Sequence, residues 1–153
     1  MEIKKIFFLL VFFLLAPFLS GCMSPPAGLD LSSQRHTSNN LYVVEAHPAA
    51  GPVGINKIHA WEVRIERASG EPVTGAHIAV DGGMPQHGHG FPTKPRITRE
   101  LGEGRYLLEG VKFSMTGWWE IKLKIDAPAG KDDVTFNVIA PQQLAAAAGN
   151  AKS

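Results

Sequence analysis

The chain has 153 residues, with 15 Lys and Arg against 14 Asp and Glu, and a formal charge of +1. That near balance gives no electrostatic case for nucleic acid or an anionic membrane as the partner. One cysteine in the whole chain excludes a disulfide-built core.

The first 21 residues read as a lipoprotein signal peptide. Lys4 and Lys5 precede an apolar run from Ile6 to Leu15, extended by Ala16, Pro17 and Phe18. The run is shorter than the roughly 20 residues a bilayer span needs, and its charge and length match the n- and h-regions of an export signal. Leu19-Ser20-Gly21 then sets small residues before Cys22, as in a lipobox. Acylation would make Cys22 the mature N-terminus and a stable anchor, which takes two or more acyl chains. The competing reading is an ordinary signal peptide or anchor helix that contains a cysteine. Lys4, Lys5 and Glu2 leave with the signal, so the mature chain carries thirteen basic and thirteen acidic side chains.

Residues 22–40 read as a lipidated flexible tether, rich in Ser, Pro, Gly and Asn and without an apolar period. Residues 41–140 read as one folded domain. Leu41–Ala46 is a first strand. His59, Trp61, Val63 and Ile65 share one face of the next, and Ile78 with Val80, then Tyr106 with Leu108, repeat the period of two. Trp119, Ile121, Leu123 and Ile125 alternate with Glu120, Lys122 and Lys124, and Val134, Phe136 and Val138 complete the set. Turn residues punctuate them at 69–72, Gly82-Gly83, 102–104 and 127–130. Short strands with one apolar face and no long helix predict an all-β chain: an immunoglobulin-like antiparallel β-sandwich of about seven strands, with a small barrel as the alternative. Gly104-Arg105-Tyr106 is placed like a tyrosine corner, where a phenol bonds back to the chain. Residues 141–153 read as a disordered Ala-rich tail, because nothing gives those alanines a face to bury.

The chemistry concentrates in Gly82-Gly83-Met84-Pro85-Gln86-His87-Gly88-His89-Gly90. Histidines at i and i+2 point to one side of an extended chain, and the glycines leave room for both imidazoles to approach one ion. Met84 adds a thioether. Thioether with imidazole, and no Cys or carboxylate close by, suits copper and Cu(I) above all. Zinc more often recruits Cys or a carboxylate, and calcium wants oxygen. His59 on its apolar face and Met115 before Thr116-Gly117-Trp118-Trp119 are further candidates. Against these stand blander readings: a Gly-rich loop whose histidines bond to backbone, a satisfied core histidine, and a Met that only packs. Alternation turns Trp119 inward and Trp118 outward. No nucleophile elbow, paired carboxylates or phosphate loop is present, so no enzyme is expected.

The stretch Pro52-x-Gly54-x-Asn56-x-x-His59-x-Trp61, with Met84-Pro85-x-His87-Gly88-His89-Gly90 and Gly110-Val111-x-Phe113-x-Met115-x-Gly117-x-Trp119, resembles the YtkA-like domain family over roughly residues 52–138. The resemblance implies a small immunoglobulin-like envelope domain, related in shape to the FixH-like accessory proteins of respiratory oxidases and suspected of copper handling. It implies Met84, His87, His89, Met115 and His59 as metal ligands, and a cuproenzyme or a respiratory-oxidase assembly as partner. The expected location is the cell envelope, lipid-anchored and facing the periplasm. Met23 after the lipidated cysteine favours the outer membrane over the inner. A module that docks on an envelope membrane complex without metal is the second reading.

Overall fold

A computed structural model describes residues 24–141. The expected signal peptide, the acylated Cys22 and the Ala-rich tail beyond Pro141 lie outside the described residues. No helix among the described residues is long and apolar enough to cross a membrane.

Two antiparallel sheets face each other. Nine strands build them: β1 (Gln34–His36), β2 (Tyr42–Pro48), β3 (Ile58–Arg67), β4 (His77–Met84), β5 (His89–Gly90), β6 (Arg96–Gly102), β7 (Arg105–Lys112), β8 (Gly117–Ala127) and β9 (Gly130–Ala140). The first sheet runs β1-β2-β3-β7-β6 and the second β5-β4-β8-β9, so the chain changes sheet after β3, β5 and β7. The sandwich is as expected, with nine strands in place of about seven. Three of the nine, absent from the alternation pattern, are short or polar. β1 forms inside the stretch read as tether, β5 is two residues of the Gly/His loop, and β6 carries Arg96, Arg99 and Glu100 on an edge.

Alternation explains the core. On β8, Trp119, Ile121, Leu123 and Ile125 are buried while Lys122, Lys124 and Asp126 are exposed. Trp61, Val63 and Ile65 of β3 and Val134 and Phe136 of β9 meet them from the other strands. Each such side chain contributes about 1.5–3 kcal/mol on leaving water. Gly82 and Gly83, read from sequence as a turn, instead lie inside β4, opposite Ile121 and Glu120 of β8. The turn follows them.

Tyr106 does act as a corner. Its hydroxyl donates to the Val73 carbonyl at 2.7 Å and accepts from the Ala76 amide at 3.1 Å. Its partner is the β3–β4 crossover, so one phenol ties together the segment that passes between sheets. Burial, the larger influence, raises its pKa above the ordinary phenol value.

Opposite the Gly/His loop, Asp132 locks the β1–β2 turn to β9. Only 6 % exposed, it accepts from the Asn39 amide at 3.0 Å, the Asn39 side chain at 2.9 Å and the Leu41 amide at 3.2 Å. Burial pushes its pKa up, but the Thr37 hydroxyl and the Asp133, Asn39 and Leu41 amides outweigh that and bring it down to about 2. A depressed carboxyl stabilises the fold above its unfolded pKa of about 3.9, and that contribution vanishes as pH falls through the folded value. Asp132→Ala is expected to cost about 2–3 kcal/mol at neutral pH, since it strands several donors. In denaturant titrations the gap from wild type should close between about pH 4 and pH 2. A gap that stays constant to pH 2 would show that the charge is not what holds the turn.

Candidate metal site at the tip of the sandwich

The Met/His residues collect at one end, where β3 and β8 begin and β4, β7 and β9 finish. Two glycines make the loop possible. A Cβ on Gly82 would stand 2.0 Å from the Glu120 carbonyl oxygen, and one on Gly83 only 1.9 Å from that of His89. Their φ angles of 142° and 154° are also ones that L side chains rarely adopt. The chain can therefore press β4 flat against β8 and fold β5 back onto it, pairing Met84 with His89.

Between those two strands Pro85–His87 forms one turn of 3-10 helix, closed by Gly88 at φ 63°. Proline suits its opening position, because the missing amide has no helical partner there. The His-x-His segment is thus not extended, as the i, i+2 argument assumed. The two rings nevertheless lie side by side, centroids 6.1 Å apart and planes 14° from parallel. Both side chains are exposed. Met84 is different: it is 2 % exposed and belongs to the core, with its methyl 3.1 Å from where a Cβ on Gly117 would stand. Met84 and His89 nonetheless line one groove.

His59 is held by its own loop. Its Nε2 lies 2.9 Å from the Gly54 carbonyl oxygen and 3.1 Å from the Gly54 amide. Protonated there, it donates to the carbonyl; unprotonated, it accepts from the amide. Nδ1 is the nitrogen left for another partner. A bulge shapes the position: Glu109 and Gly110 of β7 span the place of Ala60, with Gly110 at φ 87°. Val111 thereby keeps facing the interior opposite His59.

Met115 is 42 % exposed, and its carbonyl rather than its sulfur makes the structural bond, accepting from the Trp119 indole at 3.0 Å. Trp119 is fully buried, whereas Trp118 turns outward and donates to Asn137 Oδ1 at 2.9 Å. Both match the alternation.

An aromatic floor joins these pieces. Phe113 stands 6.0 Å from the His59 ring and edge-on to Trp119 at 5.4 Å, while Phe91 stacks on Trp119 at 5.6 Å. Sequence reasoning missed Phe91, and it missed a groove of about 240 Å³ lined by Met84, His89, Asp81, Glu120 and Lys122. The groove charges are already engaged. Glu120 sits 2.9 Å from Lys122, and that hydrogen bond, then the charge, raises the lysine pKa. Asp81 accepts from the Gly82 amide at 2.7 Å. Among the described residues, no three His, Cys, Asp or Glu side chains converge as a metal cage. The donors placed side by side at the surface are His87 and His89, and His89 shares its groove with the buried Met84.

A crystal structure of a DUF4426 family protein from Pseudomonas aeruginosa superposes with a TM-score of 0.51 at 18 % identity, covering 72 % of this chain and 98 % of that one. At that identity the likeness concerns the fold. No curated protein matches the chain. The YtkA-like family model matches residues 35–124, beginning at β1 and ending within β8, so that it takes in every Met and His of the tip. The chain belongs to the YtkA-like family.

Proposed function

We propose that this protein is an envelope lipoprotein, acylated on Cys22, whose tip binds copper for buffering or for delivery to a partner. One observation carries the reading: two exposed imidazoles lie side by side 6.1 Å apart, on a Gly-rich loop that pairs His89 with the buried Met84 across β4 and β5. The donor set fits a soft ion. Imidazole and thioether suit Cu(I), and the hard carboxylates nearby are engaged with Lys122 and the Gly82 amide. His87 and His89 would hold the ion, Met84 would add sulfur after a rotamer change, and His59 and Met115 would join from the loops on either side. Copper would bring a redox-capable, ligand-exchanging centre; the chain itself presents and shields it. No catalytic role is assigned.

The test is competition for Cu(I) against a chromogenic chelator, using the purified mature chain. Uptake of about one Cu(I) is expected, with affinity at least 100-fold lower in the His87→Ala, His89→Ala double variant. Met84→Leu keeps the volume, and its stability cost should stay below about 1.5 kcal/mol. It should still weaken Cu(I) binding about tenfold if sulfur is a ligand. No uptake by wild type overturns the copper reading.

A second reading follows from Met84 in the core and His59 on Gly54. On that view the tip is a docking surface for an envelope membrane complex. It expects no metal uptake, and co-purification of a membrane partner that is lost on the same histidine substitutions.

A further inference from the structure

The stretch before β1 does not hang free. Ser24 offers its carbonyl to the Gln86 side chain at 2.8 Å, across 62 residues of sequence, on the very turn that carries His87. Farther along, the Asp30 carbonyl accepts from Asn137 at 2.8 Å, and the Ser33 carbonyl accepts from the Ala46 amide at 2.8 Å. Arg35 pairs with Asp30 at 3.3 Å and donates to the Thr135 carbonyl. Leu31 to Ser33 lie over a groove between the sheets, against Trp61 and Ile139. These ties run the segment along the open edge between β2 and β9, from the tip toward β1. Pro25 and Pro26 fix φ and stiffen the part nearest the tip.

The consequence is directional. Cys22 is two residues before Ser24, so at most about 7 Å of extended chain separates the acylated residue from Ser24, which the Gln86 side chain ties to the His87 turn. The opposite end of the sandwich lies farther off by the length of β8, whose eleven residues at about 3.3 Å each span about 35 Å. We propose that the protein stands with its His87/His89 tip against the membrane that holds its lipid, so that the surface it offers meets a membrane-embedded protein at headgroup depth and not a soluble periplasmic one. The inference rests on the lipid anchoring of the reading above and is independent of copper.

The test uses the full mature chain in vesicles of phosphatidylethanolamine and phosphatidylglycerol carrying a headgroup-linked quencher. Reporter cysteines replace one exposed residue at each end, Lys57→Cys near the tip and Ser69→Cys at the far turn, and carry the same fluorophore. Wild type should show no reactive thiol; a titratable Cys22 overturns the anchoring itself. Quenching at position 57 is expected to exceed that at 69 at least threefold. Equal or reversed quenching in an acylated protein overturns the orientation and leaves the anchor standing. Ten Gly/Ser residues inserted between Met23 and Ser24 add a mean reach of about 17 Å. They should bring quenching at 57 down toward that at 69, and an unchanged contrast would overturn the strap as its cause.

Discussion

Gly83→Ala is expected to detach the histidine tip from the sandwich. The new methyl would stand 1.9 Å from the His89 carbonyl oxygen and 2.6 Å from the Gly90 Cα, both backbone atoms that no rotamer can move aside. Relief requires β5 to leave β4, and with it go the Met84–His89 pairing and the support of the 3-10 turn. Steric overpacking costs typically 1–3 kcal/mol, and a φ of 154° adds strain that glycine alone escapes. A total near 3 kcal/mol is the expected loss in a denaturant titration. The second readout is sharper. If His87 and His89 bind Cu(I) only when folded back over Met84, affinity should fall about as far as in the double histidine variant, although both imidazoles remain. Gly88→Ala, at φ 63° but with nothing within 4 Å of the added methyl, should cost about 1 kcal/mol and spare most of the binding. Equal effects from the two substitutions would mean that the β4–β5 contact does not organise the tip.

The glycine pair also marks where sequence reasoning goes astray. Gly-Gly between apolar stretches is ordinarily a turn, and on local grounds that is the better reading of Gly82-Gly83. What overrides it is a neighbour distant in sequence: Glu120 and His89 bring their backbones so close that only a residue without Cβ fits. The strands that are legible, β2 to β4 and β7 to β9, have one face in the core and one toward water, so their alternation is written in the side chains. β6 is not, because Arg96, Thr98, Arg99 and Glu100 sit on an edge with an irregular register and need no apolar partner. β1 is hidden for a related reason. Gln34 to His36 owe their place to β2 and to Arg35, not to any apolar period of their own.

At the tip, the side-by-side placement of His87 and His89 is anticipated, but by the wrong route. A 3-10 turn ended by a left-handed glycine produces it, and not the extended i, i+2 geometry that the spacing predicts. The depth of Met84 was not readable. A thioether in a Gly/His loop looks like a surface ligand until Gly117, on another strand, is seen to make the hole that its methyl fills. His59, too, looks like a free ligand until the Gly54 turn is folded against it.

Trp119 is where core and tip become one structure, and its truncation should separate their contributions. The indole is fully buried, stacked on Phe91, edge-on to Phe113, and bonded through Nε1 to the Met115 carbonyl. Trp119→Ala removes the largest fully buried side chain and leaves a cavity bordered by Phe91 and Phe113, so about 3–5 kcal/mol should be lost. That is a large fraction of the 5–15 kcal/mol typical of a whole domain. Trp119→Phe keeps most of the volume and loses the indole N–H, which should cost about 1–2 kcal/mol through the Met115 carbonyl. The two variants then divide the role of the ring. If Trp119 merely fills space, amide exchange at residues 113–117 should rise with Ala and stay near wild type with Phe. If its N–H pins the Met115 loop, Phe should speed exchange there as well, while leaving Ile121 to Ile125 protected. The 3.0 Å bond favours the second outcome, because the exposed loop between Phe113 and Gly117 has its methionine carbonyl tied to the core through this indole.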